Sequence, residues 1–234
     1  MRAMLMHALS QRDLRPERMD QPDLAGDQHA AALRGLARIN RVSGTARHLW
    51  SRLRGHARAA GSRLHVLDVA TGAGDVPAAI ARLAAREGVT LRVTALDISP
   101  RAVSHARQVH GDAVHYAVAD ALRDPLPGAD VAMACLFLHH LDRLAAVQVM
   151  QRLREAASRV IVDDLERSRL GLALAWAGTR VLSRCDVVHE DGPQSVRAAF
   201  TVGEVRAMAE EAGLHGATVE RRWPCRWTLD WRRP

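Results

Sequence analysis

The sequence predicts an α/β fold: one mostly parallel sheet with helices on both faces, preceded by helices of its own. Three observations carry this. From Leu64 onward, apolar runs of strand length alternate with amphipathic segments of helical period. The runs are near-continuous in Val, Leu, Ile and Ala, as strands buried on both faces require. At Val66-Leu67-Asp68-Val69-Ala70-Thr71-Gly72-Ala73-Gly74-Asp75-Val76-Pro77, a run holding one acid passes through small residues into a segment with Val76, Ala79, Ile80, Leu83 and Ala84 at helical spacing. That reads strand, glycine loop, helix.

In chain order, residues 1 to 26 are mixed in charge and carry Pro16 and Pro22, which predicts an irregular arm. Gln28 to Asn40, with Ala32, Leu36 and Ile39 on one face, and Ser43 to Ala60, with Ala46, Leu49, Trp50, Leu53 and Ala57, predict two helices that cover a sheet edge or cap a ligand site. Residues 1–60 thus form an arm with cap helices, and 61–234 the main domain. The helix after the glycine loop closes at Gly88, and Thr90 to Asp97 alternates as the second strand. Ser99 as N-cap with Pro100 as first helical residue opens the next helix. Val114 to Ala119 is the third strand and Ala129 to Leu138 the fourth. Leu144, Val147, Met150 and Leu153 mark a helix, and Ser158 to Leu165 is the fifth strand.

Residues 165–200 read as an insertion on the substrate side. Within it, Arg167 to Arg184 has an apolar stripe of Leu170, Leu174, Ala177 and Val181, with Leu172, Trp176 and Leu182 on other faces. Such a helix needs cover on more than one side, as a pocket roof or a dimer contact. Asp186 to Pro193 has the chemistry of a polar loop. Thr201 and Glu204 form a capping box for a helix ending near Gly213. Thr218 to Trp223 and Arg226 to Trp231, split by Pro224, give a C-terminal antiparallel pair and bring the sheet to seven strands, with Trp223, Trp227 and Trp231 expected in the core.

The 234 residues suffice for one such domain with small additions. Met1 to Leu9 lacks a signal-peptide pattern, and no run approaches the roughly 18 apolar residues of a membrane span. Cys135, Cys185 and Cys225 show neither disulfide nor zinc spacing, which fits a reducing, cytoplasmic setting. All 33 basic residues are arginine and the net charge is +7, yet they are scattered, and one Tyr and two Phe offer little to stack bases on. No nucleic-acid partner is expected, and a monomer or homodimer is.

Gly72 and Gly74 let a ligand lie against bare backbone, ahead of a helix N-terminus. A dinucleotide fingerprint would need glycine where Pro77 stands. The loop instead resembles motif I of the class I S-adenosylmethionine (SAM) methyltransferases, with Ala70 replacing the usual first glycine. Asp97 ends the second strand and Asp120 the third, spaced as that family spaces its acids. The resemblance covers about residues 60 to 165 and implies a Rossmann-like doubly wound sheet that binds SAM. By it, Asp68, Ala70, Thr71, Gly72 and Gly74 form the cofactor loop, Asp97 with Ile98 holds the ribose side, Asp120 and Ala121 meet adenine, and Leu136 lies near the bound cofactor.

His139 and His140 follow the fourth strand, beside the methyl-transfer position of that family, and are similar to the His-His of its ubiquinone- and menaquinone-pathway type. One imidazole is the candidate general base, since its ordinary pKa lies near neutrality. Asp163, Asp164, Trp176, His189 and Arg197 are candidate substrate contacts. The oxygen-rich ligand set for magnesium is incomplete, so no metal is expected. The implied activity is O- or C-methyl transfer to a lipophilic small molecule, a phenolic polyketide or quinone precursor. The alternatives are an RNA or protein methyltransferase, against which the absence of an Asn-Pro-Pro-Tyr-like motif after the fourth strand counts, and a non-catalytic SAM-binding protein.

Overall fold

The computed structural model describes residues 9–21, 23–61 and 63–234. Residues 1–8 and Pro22 of the expected arm, and with them most of Met1 to Leu9, lie outside the described residues. The strands are β1 (Arg63–Val69), β2 (Thr90–Asp97), β3 (His115–Val118), β4 (Ala129–Cys135), β5 (Ala157–Leu165), β6 (Thr218–Arg222) and β7 (Arg226–Arg232). They form one sheet in the order β3-β2-β1-β4-β5-β7-β6, in which only β7 runs against the others. The order reverses at β1, so the carboxyl ends of β1 and β4 open a crevice where doubly wound sheets bind ligands.

Among the described residues, eight α-helices accompany the sheet: α1 (Gly26–Val42), α2 (Thr45–Ala59), α3 (Asp75–Arg86), α4 (Pro100–His110), α5 (Arg143–Ala156), α6 (Arg169–Leu182), α7 (Asp186–Ala198) and α8 (Val202–Glu211). Strand alternation sorts them. Val66, Val93, Val131 and Ile161, with Tyr116 of β3, face α2, α3 and α4, where Leu49, Trp50, Leu53, Ile80 and Val103 are buried. Leu67, Val69, Ala132 and Val160 face α5 and α8, where Met150, Leu153, Val205 and Met208 are buried. A third cluster joins α1 and α7 through Ala32, Val187 and Val188, with Leu24 of the arm.

Local signals formed as their chemistry requires. Ser99 accepts the Ala102 N–H ahead of Pro100, and Thr201 with Glu204 closes a reciprocal capping box. Four expectations are corrected. Asp186 to Pro193 is helical: Val187, Val188, Asp191, Ser195 and Val196 are buried at helical spacing, and this packing outweighs the donor lost at Pro193. Gly192 has no Cβ to overlap the Thr179 methyl, so α7 lies close against α6. Consequently α6 buries its small residues Gly171 and Thr179, and the expected stripe turns outward, with Val181 82% exposed. Trp227 and Trp231 are core, whereas Trp223 falls in the β6–β7 turn and is 72% exposed. Finally, β4 stops at Cys135, and Leu138–His140 forms a short 3-10 turn.

No helix among the described residues is long and apolar enough to cross a membrane.

Candidate functional site

At the end of β1, Asp68 is buried, and neither its Oδ1 nor Thr71 Oγ1 has a hydrogen-bond partner among the described residues. Burial pushes the Asp68 carboxyl up to about 7, against the Thr71 hydroxyl nearby and with help from Asp75 and Asp97. A buried, unsatisfied carboxylate oxygen costs about 1–3 kcal/mol or more, which a donor ligand would recover. The loop that follows holds Ala70, Gly72 and Gly74 at φ of 55°, 55° and 69°. Gly74 must be glycine on two counts, because a Cβ there would also lie 2.6 Å from the Tyr116 ring. Gly72 differs: a Cβ on it would meet only open space, the bare backbone a ligand can approach. The amides of Thr71, Gly72 and Gly74 are used within the protein, on Leu96 O, Asp97 Oδ2 and Thr71 O.

Asp97 ends β2 with both carboxylate oxygens turned to this loop and its own helix: Oδ2 accepts the Gly72 N–H at 2.7 Å and Oδ1 the Ser99 N–H at 2.8 Å. Burial raises its pKa, and those two amides oppose. Each oxygen retains a lone pair for a hydroxyl donor. The neighbouring Ile98 is 65% exposed, an apolar side chain left uncovered at the strand end. Asp120 accepts the Leu122 N–H and lies 3.7 Å from the exposed Arg123 guanidinium, so it caps its own turn, with Ala121 buried beneath.

His139 is buried after β4, and its Nδ1 meets Asp164 Oδ1 at 2.7 Å, while its N–H donates to Asp164 Oδ2. Burial works against ionisation of Asp164, but His139 and the Leu165 N–H hold its pKa below the usual carboxylate range. An ionised Asp164 accepts a hydrogen bond from the Nδ1–H, which leaves Nε2 of the neutral His139 ring as the lone-pair nitrogen. The His140 ring lies 4.3 Å away, partly buried. Burial lowers its pKa, yet Asp20, Glu17 and Asp164 overcome this and raise it to about 9. Leu136, at φ 55°, bends the chain from β4 into this turn by donating its N–H to Asp163 O.

The remaining candidates divide. Asp163 sits on the opposite face from Asp164, as adjacent strand residues must, and is consumed by Arg222 at 2.6 and 2.7 Å, by Thr228 and by Arg226. It ties β5 to β6 and β7 rather than facing the crevice. Trp176 is 57% exposed beneath the Arg180 guanidinium on the outer side of α6. His189 bonds Ser183 O from within α7, and Arg197 accepts the Asp13 N–H through its carbonyl near the end of α7.

Sequence reasoning missed the arm's contribution. Arg12 spans the His139 and Leu141 carbonyls and lies 3.5 Å over the Phe200 ring; burial lowers its pKa to about 10. Glu17 is buried with Oε1 3.7 Å from His139 Nε2, Ser195 donates to it, and Asp20 reaches His140 Nδ1 at 3.3 Å. Asp191 of α7 fixes this segment by accepting the Arg18 and Met19 N–H groups. Charged residues in an aperiodic stretch carry no sequence signal that distinguishes them from a solvated tail.

Residues 66–159 match a family model described as methyltransferase domain. No curated protein matches the chain in sequence. Among solved structures, human N-acetylserotonin methyltransferase in complex with SAM is 17% identical, with a TM-score of 0.65 over 89% of this chain and 56% of that one. Magnesium protoporphyrin IX methyltransferase from Synechocystis with bound S-adenosylhomocysteine (SAH) is 17% identical, with 0.58 over 82% and 83%. An O-methyltransferase family 2 protein from Planctomyces limnophilus in complex with apigenin is 18% identical, with 0.54 over 85% and 66%. The chain spans about half the length of several matched structures. Its domain match falls on β1 to β4 and the start of β5, the strands that carry Asp68, Asp97 and His139 to their shared edge, and the chain shares its fold with the SAM- and SAH-bound methyltransferases among these structures.

Proposed function

We propose that this chain transfers a methyl group from SAM to a hydroxyl oxygen of a lipophilic small molecule, a phenol or enol of the polyketide or quinone-precursor class. One observation carries the reading: the buried His139–Asp164 pair stands on the same sheet edge as the unpaired Asp68 carboxylate. The residues present fit the cofactor. Asp68 and Thr71 supply acceptors for an ammonium, Asp97 supplies two carboxylate oxygens for ribose hydroxyls, Gly72 leaves its flank open, and Ile98 offers an apolar surface for a purine. SAM supplies, when bound, a methyl on a positively charged sulfur.

The chain's own residues then position and deprotonate. His139 Nε2, its tautomer fixed by Asp164, accepts the acceptor's hydroxyl proton, a step worth about 10²- to 10⁴-fold. Alignment of nucleophile and methyl supplies the larger part, up to about 7–11 kcal/mol in well-oriented systems. The O-methyltransferase complex with apigenin, a phenol-bearing ligand, supports a phenolic acceptor for this chain as well. Asp120 and Ala121 keep their proposed role beside the adenine and Leu136 its role near the cofactor, and His189 and Arg197 of α7 remain proposed acceptor contacts.

The test is calorimetry with SAM and SAH on the pure protein, followed by labelled SAM with a panel of alkylphenols and resorcinols. Binding that Asp97→Ala abolishes, with label in a phenol, supports the reading. No heat with either nucleoside sinks it, and label entering only RNA overturns the acceptor class.

A further inference from the structure

We propose that Glu17, His139 and His140 form a binding site for one divalent transition-metal ion of the zinc, iron or cobalt class. The Nε2 atoms of both imidazoles turn to the same carboxylate: His139 Nε2 stands 3.7 Å from Glu17 Oε1, and His140 Nε2 stands 4.0 Å from Glu17 Oε2. These separations are too long for hydrogen bonds. They suit ligands sharing one ion: with bonds of about 2.0–2.1 Å, ligand atoms lie roughly 3.3 Å apart in a tetrahedron and about 3.6 Å apart at 120°. Each of these two pairs closes by a few tenths of an ångström, and across the whole triad, whose ligand atoms lie within 4.8 Å of one another, the farthest pair draws in by up to about 1 Å.

The far side of each ring carries the second observation. His139 Nδ1 is held by Asp164 at 2.7 Å and His140 Nδ1 by Asp20 at 3.3 Å. Imidazoles that ligate metals characteristically place the other ring nitrogen on a carboxylate, which fixes the tautomer and sharpens the donor. Both rings here have that arrangement. Charge points the same way. Glu17, Asp20 and Asp164 converge on two imidazoles, so a dication offsets an excess of negative charge in a mostly buried place. Two nitrogens and one carboxylate favour zinc, iron or cobalt over magnesium or calcium, which take oxygen-rich sets.

Three protein ligands leave a position open, as catalytic sites do. The use of that position rests on the methyl-transfer reading, whereas the binding of the ion does not. The acceptor's hydroxyl oxygen would coordinate there and release its proton to solvent. Its lone pair then forms the new O–CH₃ bond while the S–CH₃ bond breaks and sulfur keeps the electron pair as a neutral thioether. With the ion bound, His139 Nε2 is a ligand and no longer the general base of the metal-free reading, and the ion acidifies the acceptor in its place.

The test titrates Co²⁺ into tag-free, chelator-stripped protein and follows the visible d–d absorption of imidazole-bound cobalt. The expected result is one equivalent bound, with affinity reduced by at least about 10–100-fold in Glu17→Gln and in His140→Gln, and by about 10–100-fold in the positioning variant Asp164→Asn. Glu17 lies on the arm, so its substitution leaves the sheet core intact. Asp97→Ala keeps cobalt uptake while losing SAM, which separates failure of this site from failure of the methyl-transfer reading. Absence of stoichiometric cobalt, or equal affinity in wild type, Glu17→Gln and His140→Gln, overturns the proposal.

Discussion

Asp68 shows how one buried side chain sets the conditions for its ligand. Burial raises its carboxyl to about 7, so near neutrality the free protein holds it partly protonated. A ligand that seats an ammonium on Oδ1 needs the ionised form. SAM affinity is therefore expected to rise as pH increases through about 7 and to level off above about 8, with up to tenfold lost per unit on the acid side. Calorimetry across that range in buffers of different ionisation enthalpy checks it, because binding below the midpoint releases a proton. Asp68→Asn should bind weakly and without this pH profile; an unchanged slope in that variant would remove Asp68 from the cofactor site. The same shift has a stability sign: a carboxyl raised in the folded state loses its contribution as pH climbs from the unfolded value, about 4, to about 7.

At the scale of elements, β7 is the strand that runs against its neighbours, and a buried ion pair fixes its place. Arg159 of β5 holds Asp230 of β7 through Nε at 2.9 Å and Nη2 at 2.6 Å, with Arg159 almost wholly buried. Asp230→Ala strands that guanidinium and should cost about 3–5 kcal/mol in denaturant unfolding, whereas replacing both partners by Met and Leu should be near neutral. A loss under 1 kcal/mol for Asp230→Ala would show the pair to be solvated. Neither partner was legible in the sequence, since each reads as a solvated charge within its strand. What was legible had local causes: the alternation of Thr90 to Asp97, the Ser99–Pro100 cap and the Thr201–Glu204 box form as their side chains dictate. The exits of β1, β2 and β4 likewise placed Asp68, Asp97 and His139 on one edge. The rest depended on partners distant in sequence. α7 is helical because Val187, Val188 and Val196 find cover, and Asp163 turned to Arg222 because β6 and β7 dock beside β5. Glu17 reached the histidines only through anchors on α7.

Across the whole molecule, the arm joins the two histidines to α7 and closes over the sheet edge. Its anchors are Arg12 on the carbonyls of His139 and Leu141, Gln194 on Asp13 O, and Asp191 on the Arg18 and Met19 amides. Charge adds to these at His140, which Glu17 and Asp20 of the arm and Asp164 of β5 face together. Burial opposes its proton, but those acids win and raise the pKa from 6.5 to about 9. A histidine raised in the folded state contributes stability that is complete below its unfolded value and lost as pH rises through the folded one. The window is thus about 6.5 to 9, and with the ring partly open to solvent the contribution is on the order of 1–3 kcal/mol. Because the charge ties the arm to the core, its loss should first release the arm and leave the sheet folded. In metal-stripped protein, limited proteolysis at Arg12, Arg15 and Arg18 should accelerate roughly tenfold between about pH 7 and pH 10, after correction for the protease's own profile. His140→Gln should cut at one fast rate at both pH values. Equal acceleration in wild type and His140→Gln would place the pH-sensitive contact elsewhere in the arm and detach closure of the site from the histidine pair.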